Sequence, residues 1–191
     1  MSEEFIVSFA APTLAGIKTG NLFSAECADR RETMCQIRDA NRALAGKGIR
    51  ILPMRFSEHR VLLYVYRPAR LREDLSDPEA RELLDRAGYG SLKCEGCLAE
   101  LVRRLRQFGA FPHEIGLFLS YPPEDVRGFM EHGGRDCKCV GCWKVYGDVN
   151  RAQCLFDKYK NCTEAYLRRF HRGEPLAALA VNARERKGTR A

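Results

Sequence analysis

The densest chemistry in this sequence is sulfur. Cys137, Cys139 and Cys142 follow one another closely, with Cys154 and Cys162 a short way downstream. A Cys-x2-Cys loop brings two thiolates within reach of one tetrahedral ion, and Gly141 lets such a loop turn tightly. Cys137, two residues before Cys139, would lie on the same side of an extended segment. The fourth position stays open between Cys162, Cys154 and His132. Zinc or an iron–sulfur centre would suit the donor set. An alternative pairs Cys139 and Cys142 with the upstream Cys94 and Cys97, but the separation between the two pairs is well beyond ribbon-type spacing. The same thiols could act as a redox pair. A reactive Cys-x2-Cys usually takes its low pKa from a helix N-terminus, whereas Cys142 leads into the strand-like run Trp143–Tyr146, which leaves Lys138 and Lys144 to favour thiolate. The alternative without chemistry is that these cysteines pack as small hydrophobes beside Trp143.

Three further places carry suggestive residues. Gly16-Ile17-Lys18-Thr19-Gly20-Asn21 has the ingredients of a phosphate loop without its order, since Pro12 and Ile17 stand where glycines are needed. A helix starting near Ser24 would still offer backbone donors to an anion beside Lys18, Thr19 and Asn21. His113-Glu114 begins like the zinc-protease motif H-E-x-x-H, but Leu117 occupies the fifth position and that reading fails. The pair stays a ligand-binding or acid–base candidate, against a plain helix start in which the dipole favours Glu114. Arg67, with Tyr64, Tyr66 and Trp143, could wall a flat cofactor, the bland counterpart being core residues with Arg67 in an ion pair.

Positioning these residues requires helices around a small sheet. Ser2 caps a helix that ends at Pro12, and Ser24 reads as the cap of a longer one through Leu44. The period then changes: Ile49–Met54 and Val61–Tyr66 read as an antiparallel hairpin around Ser57-Glu58-His59. Val61–Tyr66 is apolar on both faces, which suits a central strand, while Pro53 puts its partner at an edge or a bulge. Helices are expected over Pro78–Ala87, from Cys97 to Phe108, from Pro112, from Glu124 to Gly133-Gly134, from Asp148 and from Thr163, with Cys142–Tyr146 as a third strand. The fold class is α+β, with helices packed around an antiparallel sheet of roughly three strands. One globular domain is expected over residues 1–175, followed by a basic tail over 176–191.

Composition narrows the class of function. The 191 residues are 45% hydrophobic and 30% charged, which suits a globular domain and excludes a disordered chain. The formal charge is +7, but the stretch from Leu167 onward holds +5 of it, which leaves the body almost balanced. A groove that tracks phosphates needs bases clustered on the folded body, so nucleic acid is not an expected partner. No apolar run approaches the roughly 18 residues needed to cross a bilayer, and no membrane partner is expected. Nine cysteines, an odd number, and the acidic start Ser2-Glu3-Glu4 place the chain in a reducing, cytoplasmic compartment.

Four stretches also carry a resemblance. They are Ala11–Ser24, Tyr66-Arg67-Pro68 with Arg70-Leu71, Phe111–Leu119 with Tyr121–Val126, and Cys139–Asp148. Together they resemble the bacterial domain-of-unknown-function family 3793, over about residues 3–180. The resemblance implies a small soluble protein of mostly anaerobic bacteria and implies no reaction. From the residues alone, the favoured expectation is a cysteine-based metal or thiol site at Cys137, Cys139, Cys142 and Cys162. The alternative is a non-catalytic module that binds an anionic small molecule or a partner protein through Lys18, Thr19, Asn21, Arg67, His113 and Glu114. No residue is assigned to catalysis.

Overall fold

The computed structural model describes residues 2–107 and 111–182. The chain forms two compact units, Met1–Ala69 with Tyr159–Ala191, and Arg70–Lys158. It is an α+β protein with nine helices among the described residues, a three-stranded antiparallel sheet and a separate two-stranded hairpin.

In the first unit, helix α1 (Glu3–Leu14) starts where Ser2 accepts a hydrogen bond from Phe5 N, with Glu3 and Glu4 in its first turn. The helix does not stop at Pro12. Proline lacks only one donor there, and the last turn closes around it. Strand β1 (Gly20–Glu26) follows, then helix α2 (Arg30–Ala45), capped by Asp29. The helix expected from Ser24 is therefore a strand first: Ser24 lies in β1, and the true cap comes five residues later. Pairing with a partner strand decides this, because Phe23 and Ala25 face the core while Leu22 and Ser24 turn away.

Strands β2 (Arg50–Phe56) and β3 (Arg60–Tyr66) form the expected hairpin, and the sheet order is β1-β3-β2. β3 is central, as its two apolar faces require, and β2 is an edge whose register shifts between Pro53 and Arg55. Val61, Leu63 and Val65 join Phe23, Ala25 and Ile51 in one core with Ile6, Leu14, Ile37 and Leu44 from α1 and α2. Helix α9 (Leu176–Leu179) completes that core: Leu176 and Leu179 are wholly buried, so packed structure continues past residue 175. Residues 183–191 of the basic tail lie outside the described residues.

The second unit holds helices α3 (Pro68–Asp74, from Arg70 on), α4 (Pro78–Arg86), α5 (Cys94–Arg106), the single turn α6 (Ile115–Phe118), and α7 (Pro123–His132). Next come β4 (Cys139–Val140) and β5 (Lys144–Val145). The third strand expected over Cys142–Tyr146 is thus a two-residue strand of this hairpin, and β1 supplies the third strand of the main sheet. Helix α8 (Val149–His171) runs unbroken, with residues in both units. Thr163 opens no new helix. Its hydroxyl donates to the Tyr159 carbonyl one turn back, where it fits a continuing helix. No described helix is long and apolar enough to cross a membrane.

Candidate functional site

The second unit contains a cavity of about 290 Å3 beside α7 and the β4–β5 hairpin. Its construction starts at Asp125, in the first turn of α7 and only 3% exposed. One carboxylate oxygen accepts from the backbone N–H groups of Tyr146 and Gly147, each at 2.7 Å. The other accepts from the indole N–H of Trp143 at 2.7 Å. Asp125 therefore staples the hairpin to the helix with three charge-assisted bonds, the kind that make a buried carboxylate tolerable.

That staple fixes Trp143, and Trp143 organises the wall. The Tyr121 ring stacks on it with centroids 4.7 Å apart, and Phe156 meets it edge-on at 4.5 Å. Phe156 also lies against Gly141 and leaves no room for a Cβ, so this glycine serves close approach as well as the turn. Burial, with the neighbouring Cys142, pushes the Tyr121 phenol up to about 12 and keeps it a neutral donor, aimed at the Cys142 carbonyl. Phe111, Ile115, Val126, Phe129 and Val140 line the rest. The surface presented is almost wholly apolar.

Among the described residues, and besides the Tyr121 phenol, three ionisable groups reach this cavity: His113, Asp125 and Lys144. His113 is exposed and sets its ring edge-on to Phe129 at 4.9 Å. The Lys144 ammonium donates to the Gly134 carbonyl at 2.6 Å and lies 5.9 Å from the centre of the Phe129 ring. Of the two lysines expected to favour thiolate, the other, Lys138, donates to the Gly147 carbonyl.

Glu114 takes no part in the cavity. It is 5% exposed and accepts from the Tyr89 hydroxyl and from Arg104, both at 3.0 Å, while the Arg104 guanidinium stacks 4.2 Å from the Tyr89 ring centre. Burial and the adjacent Glu114 push the Tyr89 phenol far up, so it stays a donor. Adjacent in sequence, His113 and Glu114 face different surroundings and do not form an acid–base pair.

The anion loop is closed from inside. Ile17 N and Lys18 N both donate to the Pro12 carbonyl, and Thr13 donates its hydroxyl to Asn21 at 2.7 Å. Lys18 is buried with its ammonium 5.5 Å from the Tyr159 ring centre, and Thr19 is fully buried. The helix that was to supply donors begins at Arg30 instead. Arg67, 3% exposed, gives its guanidinium to the carbonyls of Thr13, Leu14, Lys47 and Val181. It binds the C-terminal end of α1, where the dipole favours a cation. The wall imagined from Tyr64, Tyr66 and Arg67 reduces to a Tyr64–Tyr66 stack at 4.7 Å within the first unit.

Of the sulfur candidates, Cys137, Cys139 and Cys142 lie on or beside the β4–β5 hairpin, half-buried for the first two and exposed for the third. Cys162 belongs to the first unit, packed against its core. Among the described residues, no group of three or more His, Cys, Asp or Glu side chains is gathered as metal ligands would be.

The aromatic wall was not foreseen. Its signal was present as a density of rings between Phe111 and Tyr146, interrupted by Pro122-Pro123 and Gly133-Gly134. No curated protein matches this chain, and neither does any solved structure. The sequence profile of a family described as a protein of unknown function, DUF3793, matches residues 6–180, and the chain belongs to that family.

Proposed function

We propose that the second unit is a binding module for a small, flat, largely apolar ligand, held against Trp143 and Tyr121. The single observation that carries this reading is the cavity: about 290 Å3, walled by rings whose positions are set by a buried hydrogen-bonded carboxylate. Natural small-molecule sites have this character, mostly apolar with a few placed polar groups, and the size suits a bicyclic ring system. Offset stacking on Tyr121 and Trp143 would orient the ring plane. The lining is mostly rings and aliphatic side chains with a few placed polar groups, which supports binding as the activity.

Trp143 is the chain's sole tryptophan, so its indole N–H gives one resonance in a nitrogen–proton correlation spectrum. Titration with 2-naphthamide, a neutral bicyclic probe, is expected to shift that resonance saturably. Val140→Glu puts a charge on the apolar wall at a position 69% exposed, where the fold tolerates it. This variant is expected to abolish the shift while its circular dichroism stays that of the parent. A resonance that never saturates, or an equal response from Val140→Glu, would sink the reading.

A further inference from the structure

The polar groups of the cavity carry the argument one step further, resting on the reading just given. We infer that the ligand is an anion: a flat aromatic body bearing a carboxylate or a comparable acidic group, which Lys144 and His113 receive while the ring lies on Trp143. The case is one of unequal availability. Among the described residues Asp125 is the only acidic side chain lining the cavity, and both of its oxygens are engaged, by Trp143 and by the backbone of Tyr146 and Gly147. A cationic ligand would find no uncommitted carboxylate there.

The two basic side chains differ from it. Lys144 spends one of three ammonium hydrogens on the Gly134 carbonyl, which anchors the head group and leaves two donors. The His113 ring touches Phe129 and, among the described residues, makes no hydrogen bond or ion pair, so both ring nitrogens remain available. Both groups lie against the same Phe129 ring, and each can offer a proton where Asp125 offers none. A charge-assisted bond beside an apolar wall is stronger than its neutral counterpart, because less water competes for it.

The test uses three isosteric probes on the full chain: 2-naphthoate, 2-naphthamide and 2-naphthylmethylamine, each followed through the Trp143 indole resonance. The carboxylate is expected to bind about tenfold more tightly than the amide, and the ammonium more weakly than both. Lys144→Gln keeps a donor for Gly134 and removes the charge, and it should lower the naphthoate affinity several-fold more than the amide affinity. His113→Phe keeps the ring contact with Phe129 and should lower naphthoate affinity alone. Equal binding of amide and carboxylate, or a parallel loss of both probes in Lys144→Gln, overturns the anion inference while the aromatic site stands. Failure of all three probes overturns both.

Discussion

Buried polar residues in this protein are committed to holding the chain together, and Asp125 shows how much one of them can hold. Among the described residues no cation pairs with its carboxylate, which is satisfied by three N–H donors, one indole and two backbone. Asp125→Asn keeps the shape but turns an amide N–H toward one of those donors, which leaves donor facing donor. The expected cost is about 1–3 kcal/mol. Asp125→Ala leaves all three donors unpaired and should cost more, with loss of the dispersed Trp143 indole resonance. Urea unfolding of both variants against the parent checks the order; an asparagine variant as stable as the parent would mean the staple is dispensable. Arg67 follows the same logic with the opposite charge. It had the look of a ligand-binding arginine, yet four carbonyls absorb its donors, and a guanidinium is the side chain whose fork can reach that many.

At the scale of elements, α5 shows how surface charge supports a helix that carries part of a buried network. Hydrogen bonds from Arg103 and Arg104 hold the Glu100 carboxyl down at about 2. A carboxyl lowered on folding stabilises the protein above its ordinary value, and that contribution is lost as pH falls through the folded value. Glu100→Gln is therefore expected to be less stable than the parent by about 1 kcal/mol near neutrality. The gap should close as pH falls from roughly 4.5 toward about 2. Thermal unfolding across that range measures it, and a gap constant with pH would assign the effect to packing. Legibility from sequence also divides by element. The β2–β3 hairpin, the central place of β3 and the edge bulge at Pro53 could be read, because two short apolar runs about a polar turn and a missing proline donor are local signals. β1 could not, since Ser24 imitates a cap and only the partner strand reveals that Phe23 and Ala25 face inward. The cavity escaped for a similar reason: its rings come from the segments on either side of α6, from α7 and from the hairpin, and no local period links them.

Across the whole molecule, the stretches that carry the family resemblance gather at two places. Ala11–Ser24 and Tyr66–Pro68 meet around Arg67, while Phe111–Val126 and Cys139–Asp148 supply every cavity residue except Phe129. The first place is a clasp and the second a cavity, one in each unit. The clasp makes a demand on the end of the chain that its charge conceals. Val181 donates its N–H to the Leu14 carbonyl and offers its own carbonyl to Arg67, just beyond the buried Leu176 and Leu179. Two shortened chains isolate this contribution. One ending at Asn182 keeps α9 and both Val181 bonds; one ending at Glu174 loses them and uncovers the apolar faces of α1 and α2 that α9 packs against. Removing one buried leucine side chain costs about 2–5 kcal/mol, so losing two, together with two hydrogen bonds, should take most of a small domain's stability. Urea unfolding of the two chains is expected to show the shorter one unfolded or nearly so at urea concentrations where the longer is native. Coincident transitions would show that the first unit closes its core without α9, and Leu179→Ala in the full chain, which should then be neutral, provides the independent check.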